Sequence, residues 1–235
     1  MSYLLFFGLI PPIILLIYIY KLDKIEKEPP RMILRLFLYG IFSVLPAMFL
    51  EFVGMSILGR LGLPENSWLY LAIMYFGVVA FSEEFSKRMV GVGLTYKSEE
   101  FNYQFDSVVY CAAAALGFAC MENISYLMVD GAAVAWGRLI PIHTICGVYM
   151  GHYVGLAKSA HRRGQNGMRV FFNFLSVFIP VLIHGFYDFS LSTENDDMLI
   201  LNMIFTILIT FIAFVCLHIY AKKDRPIAET PSKTA

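Results

Sequence analysis

Residues 68–91 read WLYLAIMYFGVVAFSEEFSKRMVG, and this stretch decides the fold. Its first half is an unbroken apolar run of the kind selected by a hydrocarbon core about 30 Å thick, which about 20 such residues cross as a helix. Its second half sets Glu83, Glu84, Lys87 and Arg88 where charge is costly, about 2.5 to 3.5 kcal/mol for an ionisable side chain at mid-bilayer on insertion scales. A soluble core helix has no need of the first half. A simple membrane anchor has no use for the second.

The rest of the chain repeats the pattern. Its 235 residues are 58% hydrophobic and only 15% charged, with a mean hydropathy of +0.66, which excludes an ordinary water-soluble domain. Apolar runs fall near residues 2–20, 33–58, 68–95, 106–129, 132–157, 169–192 and 197–221. The expected fold is therefore an all-α polytopic membrane protein, a bundle of about seven transmembrane helices. The first run has no basic residue before it and no small-residue cleavage site after it, so it reads as a retained span. Residues 1–225 form one expected helical domain and 226–235 a short polar tail.

Net charge is zero, with 18 Lys and Arg against 18 Asp and Glu, so no global field recruits nucleic acid, and only the placement of charge carries meaning. Basic residues gather in alternate loops: Lys21, Lys24, Lys27 and Arg31; Lys87, Arg88 and Lys97; Lys158, Arg162, Arg163 and Arg169; and Lys222, Lys223 and Arg225. The intervening loops, around 60–67, 129–133 and the acidic turn of Glu194, Asp196 and Asp197, are poor in Lys and Arg. The positive-inside rule then places the N-terminus outside and the C-terminus in the cytoplasm. Cys111, Cys120, Cys146 and Cys216 all fall in apolar runs without CxxC spacing and read as small buried hydrophobes.

Ionisable residues recur inside the spans: Glu51, Glu83, Glu84, Lys87, Arg88, Glu122 beside Asn123, Arg138, His143, His152, His184 and Asp188. Helical spacing sorts them. Glu83 and Lys87, like Glu84 and Arg88, stand at i and i+4, so each acid has a base one turn away. The bland reading is a pair of compensated charges whose Lys and Arg reach for the interface. His184 and Asp188 share the same spacing, which lets a carboxylate fix an imidazole tautomer. His143 and His152 lie on opposite faces of one helix, and His143 is the better site candidate because it is near the middle of its span. Counting about 1.5 Å per residue puts His143 roughly 3 Å, His184 roughly 6 Å and Glu122 roughly 7 Å to one side of mid-membrane. Glu83 falls roughly 4 Å to the other, a gap of roughly 10 Å from His184 that helix tilt must close. The small residues Ala112–Ala115, Gly117 and Ala119 let span four approach its neighbours closely.

These residues fall into ordered blocks. SEEFSK supplies Glu83, Glu84 and Lys87; DSVVYCAAAALGFACMENISY supplies Asp106, Tyr110, Gly117, Phe118, Glu122, Asn123 and Tyr126; RLIPIHTICG supplies Arg138 and His143; and His184 and Asp188 make the last. In that order, over residues 75–190, the chain resembles the PrsW family of intramembrane proteases, related to the CAAX-prenyl endoproteases and the Aph scaffold subunit of gamma-secretase. The resemblance implies hydrolysis of membrane-anchored protein substrates in a bacterial cytoplasmic membrane, with a single-span anti-sigma factor as substrate. It leaves spans one, two and seven without a match.

Peptide hydrolysis needs a water, a base and stabilisation of the oxyanion, and two arrangements supply them. In one, Glu83 or Glu84 is the base while His143, His184 and Asn123 donate to the oxyanion. In the other, His143, His184 and Glu83 hold Zn2+ and the remaining glutamate is the base. In either, Lys87, Asp188 and Arg138 support the site and Glu122 and Asn123 wall it. A non-catalytic scaffold or a proton-coupled transporter could use the same buried acids and histidines, although no internal repeat of the transporter kind is present. Partners follow from this reading: membrane lipid and a membrane protein substrate.

Overall fold

The computed structural model describes residues 4–131, 141–193 and 195–227. Arg138, Glu194 and the greater part of the polar tail lie outside the described residues. A π-helical turn, Leu4–Leu9, leads into α1 (Ile10–Leu22); α2 (Pro30–Phe42) and α3 (Val44–Leu58) follow, the latter ending in a 3-10 turn at Gly59–Leu61. Then come α4 (Trp68–Ala72), a π-helical stretch at Ile73–Ala80, α5 (Phe81–Gly91), α6 (Asp106–Val129), α7 (Ile142–Arg162), α8 (Asn166–Ser192) and α9 (Asp196–Lys222).

These join into a helical bundle. Among the described residues five rods, 30–61, 68–91, 106–129, 166–192 and 196–222, are long and apolar enough to cross a membrane, with a shorter apolar helix at 6–22. The remaining rod, α7, is 21 residues long but carries His143, His152 and Lys158 and is buried along most of its length. Polarity is tolerated there because protein, not lipid, surrounds it.

Helix α6 is the axis of the bundle. Its most apolar window is 83% buried, against 17% for that of α9, so α6 packs on protein all round while α9 faces outward. Glycine makes this possible. A Cβ on Gly117 would overlap the Phe37 carbonyl, and one on Gly40 the Ala114 carbonyl, so α2 and α6 cross nearly backbone to backbone. On the other side Gly147, Gly151 and Gly155 of α7 run against Cys111, Ser107 and Gln104 at the start of α6. The Ala112–Ala115 run is legible as a packing surface from sequence; its partner, three glycines four residues apart, is equally legible but goes unused in that reading.

Three expectations are corrected. Helix α7 starts at Ile142, so His143 occupies its first turn instead of mid-helix; the expected start of span five at 132 lies outside the described residues. Arg88 does not pair with Glu84: it donates to Asn173 Oδ1 at 2.7 Å and Ser176 Oγ at 3.1 Å on α8. Nor does Lys87 reach for the interface, being wholly buried because two carboxylates hold it inside.

At the end of the bundle that carries the basic loops, the start of the polar tail is tied down. Gln104 N donates to Arg225 O at 3.0 Å, and Ile227 N to Asn102 O at 2.6 Å. Asp23 and Glu28, in the turn between α1 and α2, are buried beneath this layer. Burial pushes the Asp23 carboxyl up to about 6 against the pull of Lys27. It pushes Glu28 up to about 7, opposed by a hydrogen bond from Tyr110.

Candidate active site

The segment that positions the acids is unusual. Ile73–Ala80 is a π-helix, a wide coil that advances less per residue than an α-helix and recurs beside functional sites. It draws Glu83 toward the Trp68 end of its rod and helps to close the depth gap expected for straight α-helices. Glu83 Oε2 lies 3.8 Å from His184 Nε2 and 4.0 Å from His143 Nδ1. Side chains from α5, α7 and α8 therefore share one place, with the two imidazole centroids 5.1 Å apart and nearly perpendicular.

Lys87 is the hub. Its Nζ donates to Glu83 Oε2 at 3.0 Å, Glu84 Oε1 at 2.8 Å and His143 Nδ1 at 2.8 Å, and it stands 4.1 Å from the centroid of the Phe118 ring. All three donor positions of the ammonium are used. One base thus serves both acids, where sequence spacing gives one base to each.

The histidines are oriented by these contacts. His143 Nδ1 accepts from Lys87, so Nε2 carries the proton and donates to Glu122 Oε2 at 2.5 Å. Glu122, expected only as a wall, is a direct partner of His143. His184 meets a carboxylate at each nitrogen, Glu84 Oε1 at 2.9 Å from Nδ1 and Asp188 Oδ2 at 3.2 Å from Nε2. His152, on the far face of α7, stacks on Tyr220 at 3.7 Å, well away from this cluster.

The cluster opens on a cavity of about 650 Å³. Glu83, His143, His184, Glu122, Asn123 and Asp188 reach its wall, with apolar sides from Met48, Met55, Met74 and Leu191. Glu84 and Lys87 do not line it; they sit behind, wholly buried. Glu51 of α3, half-buried, also lines the cavity. Its cost in an apolar span marks it in the sequence, but it has no spacing partner to tie it to the other acids.

Glu83, Glu84, His143 and His184 each offer a ligand atom within 4.8 Å of the other three. Two imidazoles and two carboxylates are a donor set that a first-row metal ion takes, and Glu84 Oε2, buried without a hydrogen-bond partner, has an acceptor to spare. The residues present thus fit a metal.

Comparison with known proteins agrees with this architecture. A family model described as PrsW family intramembrane metalloprotease matches residues 28–217, which extends the likeness over α2, α3 and most of α9. Proteins named Protease PrsW are similar over most of their length. That of Oceanobacillus iheyensis is 35% identical over 209 residues, 88% of this chain and 90% of the relative. Those of Geobacillus kaustophilus, 36% identical over 191 residues, and Bacillus subtilis, 35% over 192, cover 80% of this chain and 79% and 83% of their own. No solved structure matches the chain. With a helical bundle, acids and histidines gathered inside it, and relatives matched nearly end to end, the chain belongs to the PrsW family of intramembrane proteases, multi-span hydrolases of the bacterial cell membrane.

Proposed function

We propose that the chain hydrolyses a peptide bond of a single-span membrane protein at the cavity beside Glu83, with an anti-sigma factor as the substrate class that the family resemblance implies. The observation that carries this reading is the meeting of Glu83, His143 and His184, from three helices, at the wall of one cavity with apolar sides. Those sides suit a segment arriving from hydrocarbon, and the polar floor suits water.

Glu83 is the general base, because among the paired acids it is the one that lines the cavity. Its carboxylate takes a proton from water as the water oxygen bonds to the scissile carbonyl carbon. The same proton passes to the amide nitrogen as the C–N bond breaks, leaving a carboxylic acid and an amine. Asn123 stands on the same wall to donate to the oxyanion, the one N–H of His143 being given to Glu122. Glu84 positions His184 and Lys87, Glu122 fixes the His143 tautomer, and Asp188 fixes His184. His143, His184 and Glu84, whose Oε2 has no other partner, would hold Zn2+ and leave Glu83 free as the base; the ion when bound supplies Lewis-acid polarisation of the carbonyl and acidifies the attacking water. Arg138 supports the site by family resemblance alone.

The test is cleavage of single-span peptides by the purified chain in lipid vesicles, run beside metal analysis. Cleavage by the parent and none by Glu83→Gln is expected. Equal turnover by both removes Glu83 as the base, and no turnover on any such peptide, with the protein folded and metal-loaded, overturns the substrate class.

A further inference from the structure

A second cluster of acids lies outside the intramembrane site, at the basic-loop end of the bundle. Asp23 and Glu28 come from the turn between α1 and α2, and Asp106 from the first turn of α6. Each offers one oxygen within 4.8 Å of the other two. All three are at most 2% exposed.

The donors present fall short of what these carboxylates need. Tyr110 Oη donates to Glu28 Oε2 at 2.5 Å, the backbone amides of Asn102 and Tyr103 both go to Asp106 Oδ2, at 2.9 and 2.6 Å, the Glu28 amide donates to the Asp23 carboxyl, and one proton can be shared between Glu28 and Asp106. Asp23 Oδ2 and Asp106 Oδ1 are buried with no hydrogen-bond partner. So is Asn102 Oδ1, on the residue whose amide holds Asp106. No ion pair reaches any of the three acids among the described residues. The cations nearby are committed elsewhere: Lys27 Nζ binds the backbone carbonyls of Tyr20 and Asp23, and Lys158 Nζ that of Phe101. The contrast with Glu83 and Glu84 is direct, because there Lys87 enters the cluster and here no ammonium does.

Buried acceptors left without donors are rare in native structures and call for an ion, a water or a proton. Three carboxylates whose oxygens converge with no cation among them repel one another strongly in a low-dielectric site, and Lys27 acts on Asp23 only from outside the cluster. We propose that Asp23, Glu28 and Asp106 bind a hard divalent cation of the Ca2+ or Mg2+ class. The all-oxygen donor set selects such an ion over zinc. It would fasten the α1–α2 turn to the start of α6. Asp224 Oδ1 already accepts from Phe105 N at 2.9 Å, so the end of α9 joins the same fastening.

The experiment uses the full chain in detergent micelles, with Tb3+ as a hard-ion probe sensitised by the nearby tyrosine. His143→Ala/His184→Ala is the background, which removes the intramembrane donors. One saturable luminescent site, displaced by Ca2+ or Mg2+, is expected; Asp23→Asn and Asp106→Asn should each abolish it, and Glu65→Gln, at an exposed acid between α3 and α4, should not. In the unsubstituted chain, saturating Ca2+ or Mg2+ after chelation should raise the melting midpoint by roughly 4 °C or more, a readout that does not depend on a variant folding. Absence of a saturable site, a site unaltered by Asp23→Asn, or a melting midpoint indifferent to divalent ions overturns the proposal. The last result together with a strong response to pH would assign the cluster to protons alone.

Discussion

Lys87 Nζ stands 2.8 Å from His143 Nδ1, so an ammonium on α5 and an imidazole on α7 hold each other across the bundle. Lys87 is also the only lysine or arginine that pairs with Glu83 and Glu84 among the described residues. Lys87→Met takes the one ammonium from two buried carboxylates, which destabilises by about 3 to 5 kcal/mol. It also frees His143, and misplacement of this kind costs roughly 10²-fold in rate. Thermal melting in detergent and peptide cleavage measure the two losses separately.

Glu83 and Glu84 are adjacent in sequence yet predict different variants. Glu83 lines the cavity, so Glu83→Gln should lower turnover by roughly 10²- to 10⁴-fold with little change in melting. Glu84 is wholly buried and holds both Lys87 and His184, so Glu84→Gln should lower the melting midpoint as well as the rate. Equal melting of the two variants would contradict this division.

The glycine contacts between α6 and α7 make a prediction remote from the chemistry. A side chain at Gly151 would overlap Ser107 O and Val108 Cα, so Gly151→Val should cost about 1 to 3 kcal/mol and shift the helix that carries His143. Gly167 has open space around it, and Gly167→Ala should leave both melting and turnover unchanged.

Metal removal should separate the two chemistries available to the histidines. Dialysis against a chelator is expected to stop cleavage and Zn2+ to restore it. Asp188→Asn, which removes the carboxylate 3.2 Å from His184 Nε2, should then raise the Zn2+ concentration needed by roughly 10- to 100-fold. Undiminished turnover after complete removal of metal would leave Glu83 to act without it.

With divalent ions chelated, stability should depend on pH through the buried acids at the basic-loop end. Asp23 is raised to about 6 and Glu28 to about 7 in the folded chain, burial being the main cause in each. The folded state therefore binds protons more tightly than the unfolded chain does, and their contribution is complete below about pH 4. It is lost as pH rises through about 6 to 7. Asp106, Asp224, Glu26 and Lys27 also face or flank this cluster and broaden the transition. Melting midpoints at pH 5 and pH 8, with and without Ca2+, give the sign.

The rods were legible because a bilayer imposes a length and a polarity on each one, and the bounds of α6 agree with the apolar run at 106–129. His184 and Asp188 were legible as a pair because they lie one turn apart on the same helix. Contacts between helices were not legible in that way. Nothing in the spacing of Glu122 and His143 tells that one binds the other, since 21 residues and an interhelical segment separate them. Nor does spacing bring Asp23 and Glu28 to Asp106. Part of the depth gap came from assuming α-helical rise through Ile73–Ala80, and no residue there announces a π-helix.

The ammonium of Lys87 has a consequence for biogenesis. A peptide segment that carried Glu83 and Glu84 into lipid unaccompanied would meet a steep barrier, but this one travels with its own neutralising group a turn behind. Assembly of the bundle can thus proceed with part of the acidic charge already offset inside it, one ammonium standing against two carboxylates.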